Sequence, residues 1–149
     1  MTFNEERVLE KIAYIQGQVS SIQGLLNENS KDEIISNQWL IKGLKYSLQT
    51  SVEAVVDIAY HISAKHIKVA PADGREAIAI LTQNGIVSDE EQELYSTMIG
   101  FRNRVVHGYQ TISNERVYEI ASNELDIFST FIRQISSFLK KNNNHLQDS

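Results

Sequence analysis

The stretch VLEKIAYIQGQVSSIQGLL, residues 8–26, decides the fold class. Val8, Ile12, Ile15, Val19, Ile22 and Leu26 recur at alternating steps of four and three. That spacing lines all of them along one narrow seam of an α-helix, whereas a half-buried strand needs a period of two. Asn4 stands where an N-cap is wanted, and Glu5 and Glu6 fall in the first turn, where the helix dipole favours acids. The spacing therefore predicts a helix over residues 4–28.

The pattern continues outward from this helix. Ser30 and Glu33 have capping-box spacing and open a second helix that reaches about residue 66. It runs through Ile34, Ile35, Trp39, Leu44, Leu48, Val52, Val55, Val56, Ala59 and Ile62. This arc is wider than the first seam, so the helix is expected to pack on two sides, against the bundle and against another subunit. Its length implies a kink, to which the pattern assigns no position. Residues 68–74 hold the chain's single proline, Pro71, and read as a linker. A short helix follows from Arg75 to about Gln83, stopped by Asn84-Gly85. Ser88 and Glu91 form a second capping box, opening a helix through Leu94, Met98, Ile99 and Phe101 that ends near His107-Gly108. The last helix starts at Ser113 or Asn114 and carries Val117, Ile120, Phe128, Phe131, Ile132, Ile135 and Phe138, with Lys140 and Lys141 at its close. Residues 142–149 read as a frayed, disordered polar tail. The sum is an all-α fold: an antiparallel four- to five-helix bundle, one domain over residues 1–141, dimerising through the long N-terminal helices.

Composition limits what such a bundle does. Its 149 residues are 42% hydrophobic and 22% charged, with no cysteine. Disulfides and thiolate metal sites are therefore excluded. A net charge of −5 argues against a broad phosphate-contacting surface, so any nucleic acid must bind at a local basic site. No basic-then-apolar leader and no membrane-length apolar run is present, which makes the cytoplasm the expected location.

One local basic site stands out. Phe101-Arg102-Asn103-Arg104-Val105-Val106-His107-Gly108-Tyr109 contains no acid, and neither do its flanks, residues 96–100 and 110–113. On the final turns of a helix, Phe101, Val105 and Met98 point inward while Arg102 and His107 reach out at the edge. The imidazole then sits where carbonyl dipoles favour its protonated form. An arginine and a titratable histidine together suit phosphodiester cleavage in RNA. A base takes the 2′-hydroxyl proton, a cation steadies the crowded phosphate, and an acid protonates the leaving oxygen, with no metal or other cofactor required. The same residues also fit a plain helix end whose cations only complement the dipole.

The order Arg102-Asn103, four intervening positions, His107, then Gly108-Tyr109 resembles the R-x4-H-x-Y signature of HepT-like proteins of the HEPN superfamily, small all-helical ribonuclease domains. Met98-Ile99-Gly100-Phe101 before the motif and the helix beginning near Asn114 are similar too, and the likeness covers nearly the whole chain. It implies that Arg102 and His107 are the catalytic pair and that Asn103 is a polar helper orienting substrate or its neighbour. Arg104 is left between a phosphate contact and the solvent face. The resemblance further implies a homodimer in which both motifs face one cleft, and a toxin–antitoxin pairing with a minimal nucleotidyltransferase of the MntA type. That partner would transfer AMP to the motif tyrosine, here Tyr109, adding negative charge and bulk where RNA phosphate must bind. The competing reading is a non-catalytic helical module that only docks such a partner.

Other conspicuous residues have plainer explanations. Asp57, His61 and Lys65 lie at four-residue steps and read as a polar surface stripe, since a metal would want a third ligand. His66 reads as a helix-end dipole partner, and His145 lies in the tail. Trp39 reads as core or dimer interface, while Tyr46, Tyr60, Tyr95 and Tyr118 need no special role.

Overall fold

The computed structural model describes residues 2–108 and 112–148, with side chains described as far as residue 144 at the C-terminal end. Among the described residues there is no strand. The helices are α1 (Glu5–Glu28), α2 (Lys31–Ser36), α3 (Gln38–His61), α4 (Gly74–Gln83), α5 (Asp89–His107), α6 (Asn114–Asn123) and α7 (Asp126–Asp148), with a π-helical turn, Ile62–Ile67, continuing α3. The frame is the expected bundle, carried by the long helices α1, α3, α5 and α7. Phe3, at the head of α1, meets His66 just beyond α3; Met98 of α5 stands by Ile127 of α7, while Glu91, nearer the start of α5, meets Gln134 further along α7. Neighbouring long helices therefore run antiparallel.

The seam of α1 is buried at Val8, Ile12, Ile15 and Ile22. It joins one core with Leu44, Leu48, Val52 and Ile58 of α3, Phe101 of α5, and Phe128, Phe131 and Ile135 of α7. Each such side chain contributes about 1.5–3 kcal/mol on burial. With that much anchorage on other helices, the last turn of α5 is free to be polar. Asn4 caps α1, its Oδ1 accepting from Arg7 N at 3.2 Å.

The structure departs from expectation at several points. The long second helix is broken at Asn37, whose extended backbone (φ −97°, ψ 110°) cannot continue α2. Its Oδ1 instead accepts from the N–H groups of Trp39 (3.0 Å) and Leu40 (3.1 Å), capping α3. The break lets α2 turn Ile34 into the core and lets Asn114 Nδ2 donate to the Ile35 carbonyl. At its other end, α3 widens into the π turn and closes on Lys68 in a left-handed conformation (φ 70°).

The Ser88–Glu91 capping box does not form. Glu91 N reaches the Ser88 carbonyl, while the Ser88 hydroxyl accepts from Gln134 Nε2 of α7. The same amide reaches Glu91 Oε2, and Gln134 Oε1 accepts from Tyr95 O–H at 2.8 Å. A bridge between helices has replaced a local cap. Burial, followed by the Glu91 charge, raises the Tyr95 pKa well above its ordinary value.

The expected last helix is two helices. Glu124 (φ −120°, ψ 10°) ends α6 and Leu125 turns into the core before α7 begins. Helix α7 runs to Asp148, and Asn143 Nδ2 donates to Glu5 Oε1. Trp39 is not core: it is 78% exposed, with Lys42 lying over its ring. Among the described residues, no helix is long and apolar enough to cross a membrane.

Candidate active site

The motif occupies the last turns of α5. Phe101 is buried and Val105 packs against the core, which fixes the roll of the helix. Arg102 and Asn103 are then half-buried on its flank, while Arg104, Val106 and His107 are exposed. Gly108 closes the helix at φ 67°, donating its N–H to the Arg104 carbonyl at 3.1 Å. A side chain there would be strained, so glycine fixes where the helix stops after His107.

Arg102 is held on two sides. Its Nε lies 3.3 Å from Glu53 Oε1 of α3, and its Nη1 donates to Asn103 Oδ1 at 3.1 Å. Glu53 Oε1 also accepts from Gln49 Nε2 at 2.9 Å. The guanidinium is thereby oriented from within its own helix and from the neighbouring one. Glu53 escapes sequence reasoning. The available signal was an acid set within the apolar run of Val52, Val55 and Val56.

Arg102 and Asn103 line a cleft of about 290 Å³ between α3, α4 and α5, together with Glu53, Val56, Arg75 and Ile99. His107 is not among the lining residues. Five positions separate it from Arg102, which on a helix means about 140° of rotation and about 7.5 Å of rise. His107 instead shares a helix face with Asn103 and Arg104. A single chain thus groups Arg102 with Asn103 and Glu53, and places His107 one turn beyond Asn103, outside the cleft lining. Tyr109 lies outside the described residues.

The polar stripe on α3 is partnered individually. Asp57 Oδ2 pairs with Lys11 Nζ at 3.1 Å, and His61 Nε2 accepts from Asn4 N at 2.9 Å. Burial, then the charges of Arg7 and Lys65, lower the His61 pKa, consistent with a neutral imidazole acting as acceptor. His66 serves packing beyond its position at a helix end, standing T-shaped against Phe138 at 4.9 Å. A larger groove of about 690 Å³, between the α4–α5 turn and α7, holds no motif residue. The smaller cleft holds Arg102 and Asn103 of the motif. Among the described residues, no group of three or more His, Cys, Asp or Glu could hold a metal ion.

Comparison with known proteins supplies the family. The profile described as Ribonuclease HepT-like matches residues 15–135. The chain belongs to the HepT-like ribonuclease family. This HepT-like chain is 28% identical, over 87% of its own length and 96% of the relative's, to the mRNA nuclease HepT of Shewanella oneidensis. It is 32% identical, over 62% of its length and 63% of the relative's, to the tRNA nuclease HepT of Aphanizomenon flos-aquae. Among solved structures it superposes on the tri-AMPylated Shewanella oneidensis HEPN toxin in complex with MNT antitoxin. The TM-score is 0.80 at 27% identity, covering 88% of this chain and 97% of that one.

Proposed function

We propose that this HepT-like chain is the toxin of a toxin–antitoxin pair: a cytoplasmic, metal-independent endoribonuclease silenced when an MntA-type nucleotidyltransferase places AMP on Tyr109. The observation that carries the reading is the coincidence of family membership with the Arg102-Asn103…His107-Gly108-Tyr109 motif at a glycine-capped helix end.

In this reading Arg102, oriented by Asn103, binds the scissile phosphate and stabilises its growing charge. The ribose 2′-oxygen loses its proton and bonds to phosphorus. The bond to the 5′-oxygen breaks, and that oxygen takes up a proton. His107 moves the proton. Arg104, exposed beside it, adds a phosphate contact. Silencing is a separate transfer. The Tyr109 oxygen bonds to the α-phosphorus of ATP, pyrophosphate leaves, and the phenolic proton is released. The added phosphate then repels RNA from the motif.

Two subunits complete the site. His107 lies about 140° around α5 from Arg102 and outside the cleft lining, so a partner copy is the direct way to bring both kinds of group to one phosphate. Trp39 (78% exposed) and Tyr46 (62% exposed) share the solvent face of α3 and supply an apolar contact for that copy. By the antiparallel register that pairs Glu53 with Arg102, Tyr46 stands level with the end of α5. A two-fold interface there would juxtapose the two motifs.

The test is induced expression of wild type, Arg102→Ala and His107→Ala, with folding checked by circular dichroism and cleavage assayed in chelator. Growth arrest and RNA cleavage by wild type alone support the reading. If all three are harmless and none cuts RNA, the chain is a docking module for the nucleotidyltransferase. Sedimentation of Trp39→Ala/Tyr46→Ala tests the dimer, which should dissociate.

A further inference from the structure

We infer that Arg75 is a second RNA-phosphate contact, seating the phosphate next to the one at Arg102; this rests on the ribonuclease reading above. Arg75 lies outside the motif, in the first turn of α4, just after the Asp73 cap. That turn lies close against α3 and α5: a Cβ on Gly74 would stand 3.2 Å from Val56 and 3.7 Å from Ile99. Arg75 then extends across α5. Its Nη2 occupies the space above Gly100, 2.8 Å from where a Cβ at that position would be. It donates a single long hydrogen bond, 3.4 Å, to the Ser96 carbonyl.

Glycine inside a helix weakens it, and Gly100 has a negative φ that any residue could adopt. The space it leaves is filled by this guanidinium. Gly100 and Asn103 are three apart and share a face, so both lie along the strip of α5 that Arg75 overlies. The span from Ser96 to Gly100 lies roughly 3–9 Å along the axis from Arg102.

Glu53, Asp57 and Asp73 line the same cleft, so what favours an anion at Arg75 is local pairing and not the sum of charges. The acids of the cleft are engaged: Glu53 with Arg102 and Gln49, Asp57 with Lys11, and Asp73 with the Glu76 N–H. Arg75 has no carboxylate within ion-pair distance among the described residues and is exposed. The cleft therefore presents, beside the motif arginine, an exposed guanidinium that no carboxylate contacts, lying over the same helix. That arrangement suits consecutive phosphates of a single-stranded RNA backbone.

The experiment measures binding of a fluorescein-labelled single-stranded RNA oligonucleotide of mixed sequence, by anisotropy across a salt series. The His107→Ala protein serves as background, so that the RNA stays intact. Adding Arg75→Ala should weaken binding about 5- to 10-fold and lower the slope of log Kd against log salt by about 0.7, the value for one phosphate contact on a single strand. Arg75→Lys should keep the slope. Gly100→Ala should weaken binding in the same direction, because its methyl displaces the guanidinium, while thermal stability holds or rises with improved helix propensity. Unchanged affinity and slope in both Arg75→Ala and Gly100→Ala overturn the assignment, as does an affinity loss that only tracks a falling melting temperature. If wild type neither binds nor cuts RNA, the ribonuclease reading itself fails, an outcome the unsubstituted protein reveals before any variant is made.

Discussion

Replacing Glu53 by glutamine separates its two effects on Arg102. The carboxylate lies 3.3 Å from Nε, and both side chains are about one-third exposed (33% and 35%). An ion pair this open contributes about 0.2–1 kcal/mol to stability, and glutamine keeps an acceptor at the same reach, so folding should change little. RNA binding should change more. A phosphate seated on Arg102 would stand roughly 6 Å from the Glu53 carboxylate; at an effective dielectric of about 40, between water and protein interior, the repulsion is roughly 1.4 kcal/mol. Salt trims this to about 1 kcal/mol, or about fivefold in affinity. Glu53→Gln should therefore lower KM for RNA about fivefold at low ionic strength, with the gain shrinking as salt is added. Glu53→Ala gives the same charge change but removes the Nε acceptor, so kcat should fall. Steady-state cleavage at low and high salt reads both effects. A KM for Glu53→Gln that is unchanged or raised at low salt would refute the idea that Glu53 competes with substrate for Arg102.

Three further outcomes are expected. Asn37→Ala removes the acceptor for two backbone N–H groups at the α2–α3 break and should cost about 1 kcal/mol in urea unfolding, whereas Asn37→Gly should cost only a few tenths. Gly108→Ala forces a side chain into the left-handed region and should cost about 1 kcal/mol, read by the same unfolding curves. Because the folded pKa of His61 is lowered, the unfolded chain binds the extra proton first. The stability linked to His61 should be complete above about pH 6.5 and be lost as pH falls through the lowered folded value; His61→Gln should flatten that dependence below about pH 6.5.

The features legible in the sequence are those set by local periodicity. The α1 seam, the Asn4 cap and the glycine stop after His107 each depend on residues within a turn or two of one another. The Asn37 break was not legible, because Ile34 and Ile35 before it and Leu44 and Leu48 after it maintain an apolar pattern that reads straight through. The Ser88–Glu91 cap failed for the opposite reason: its spacing was right, but Gln134, far along the chain, took both side chains. The site divides in the same way. Arg102 and Asn103 touch as neighbours in sequence, whereas Glu53 and Arg75 reach the cleft only through tertiary packing.

The π-helical turn at Ile62–Ile67 has a consequence for how chain length sets the site. Such a turn houses one residue more than an α-helical turn would. Deleting Ala64 would let the turn close as an ordinary α-helical turn with the chain beyond it in nearly its present phase, whereas deleting a residue from the regular part of α3 would rotate everything beyond by about 100° and shift it by about 1.5 Å. After that second deletion His66 would leave Phe138, the Ser63 hydroxyl would lose the Val69 carbonyl it now reaches at 2.6 Å, and the segment leading to α4 would start from a new heading. Arg75 rides on that segment, while Arg102 is anchored on α5 by Phe101. The spare residue is thus slack: the turn takes up a one-residue change in length that a straight helix would pass on to Arg75, and the two guanidinium groups keep their spacing.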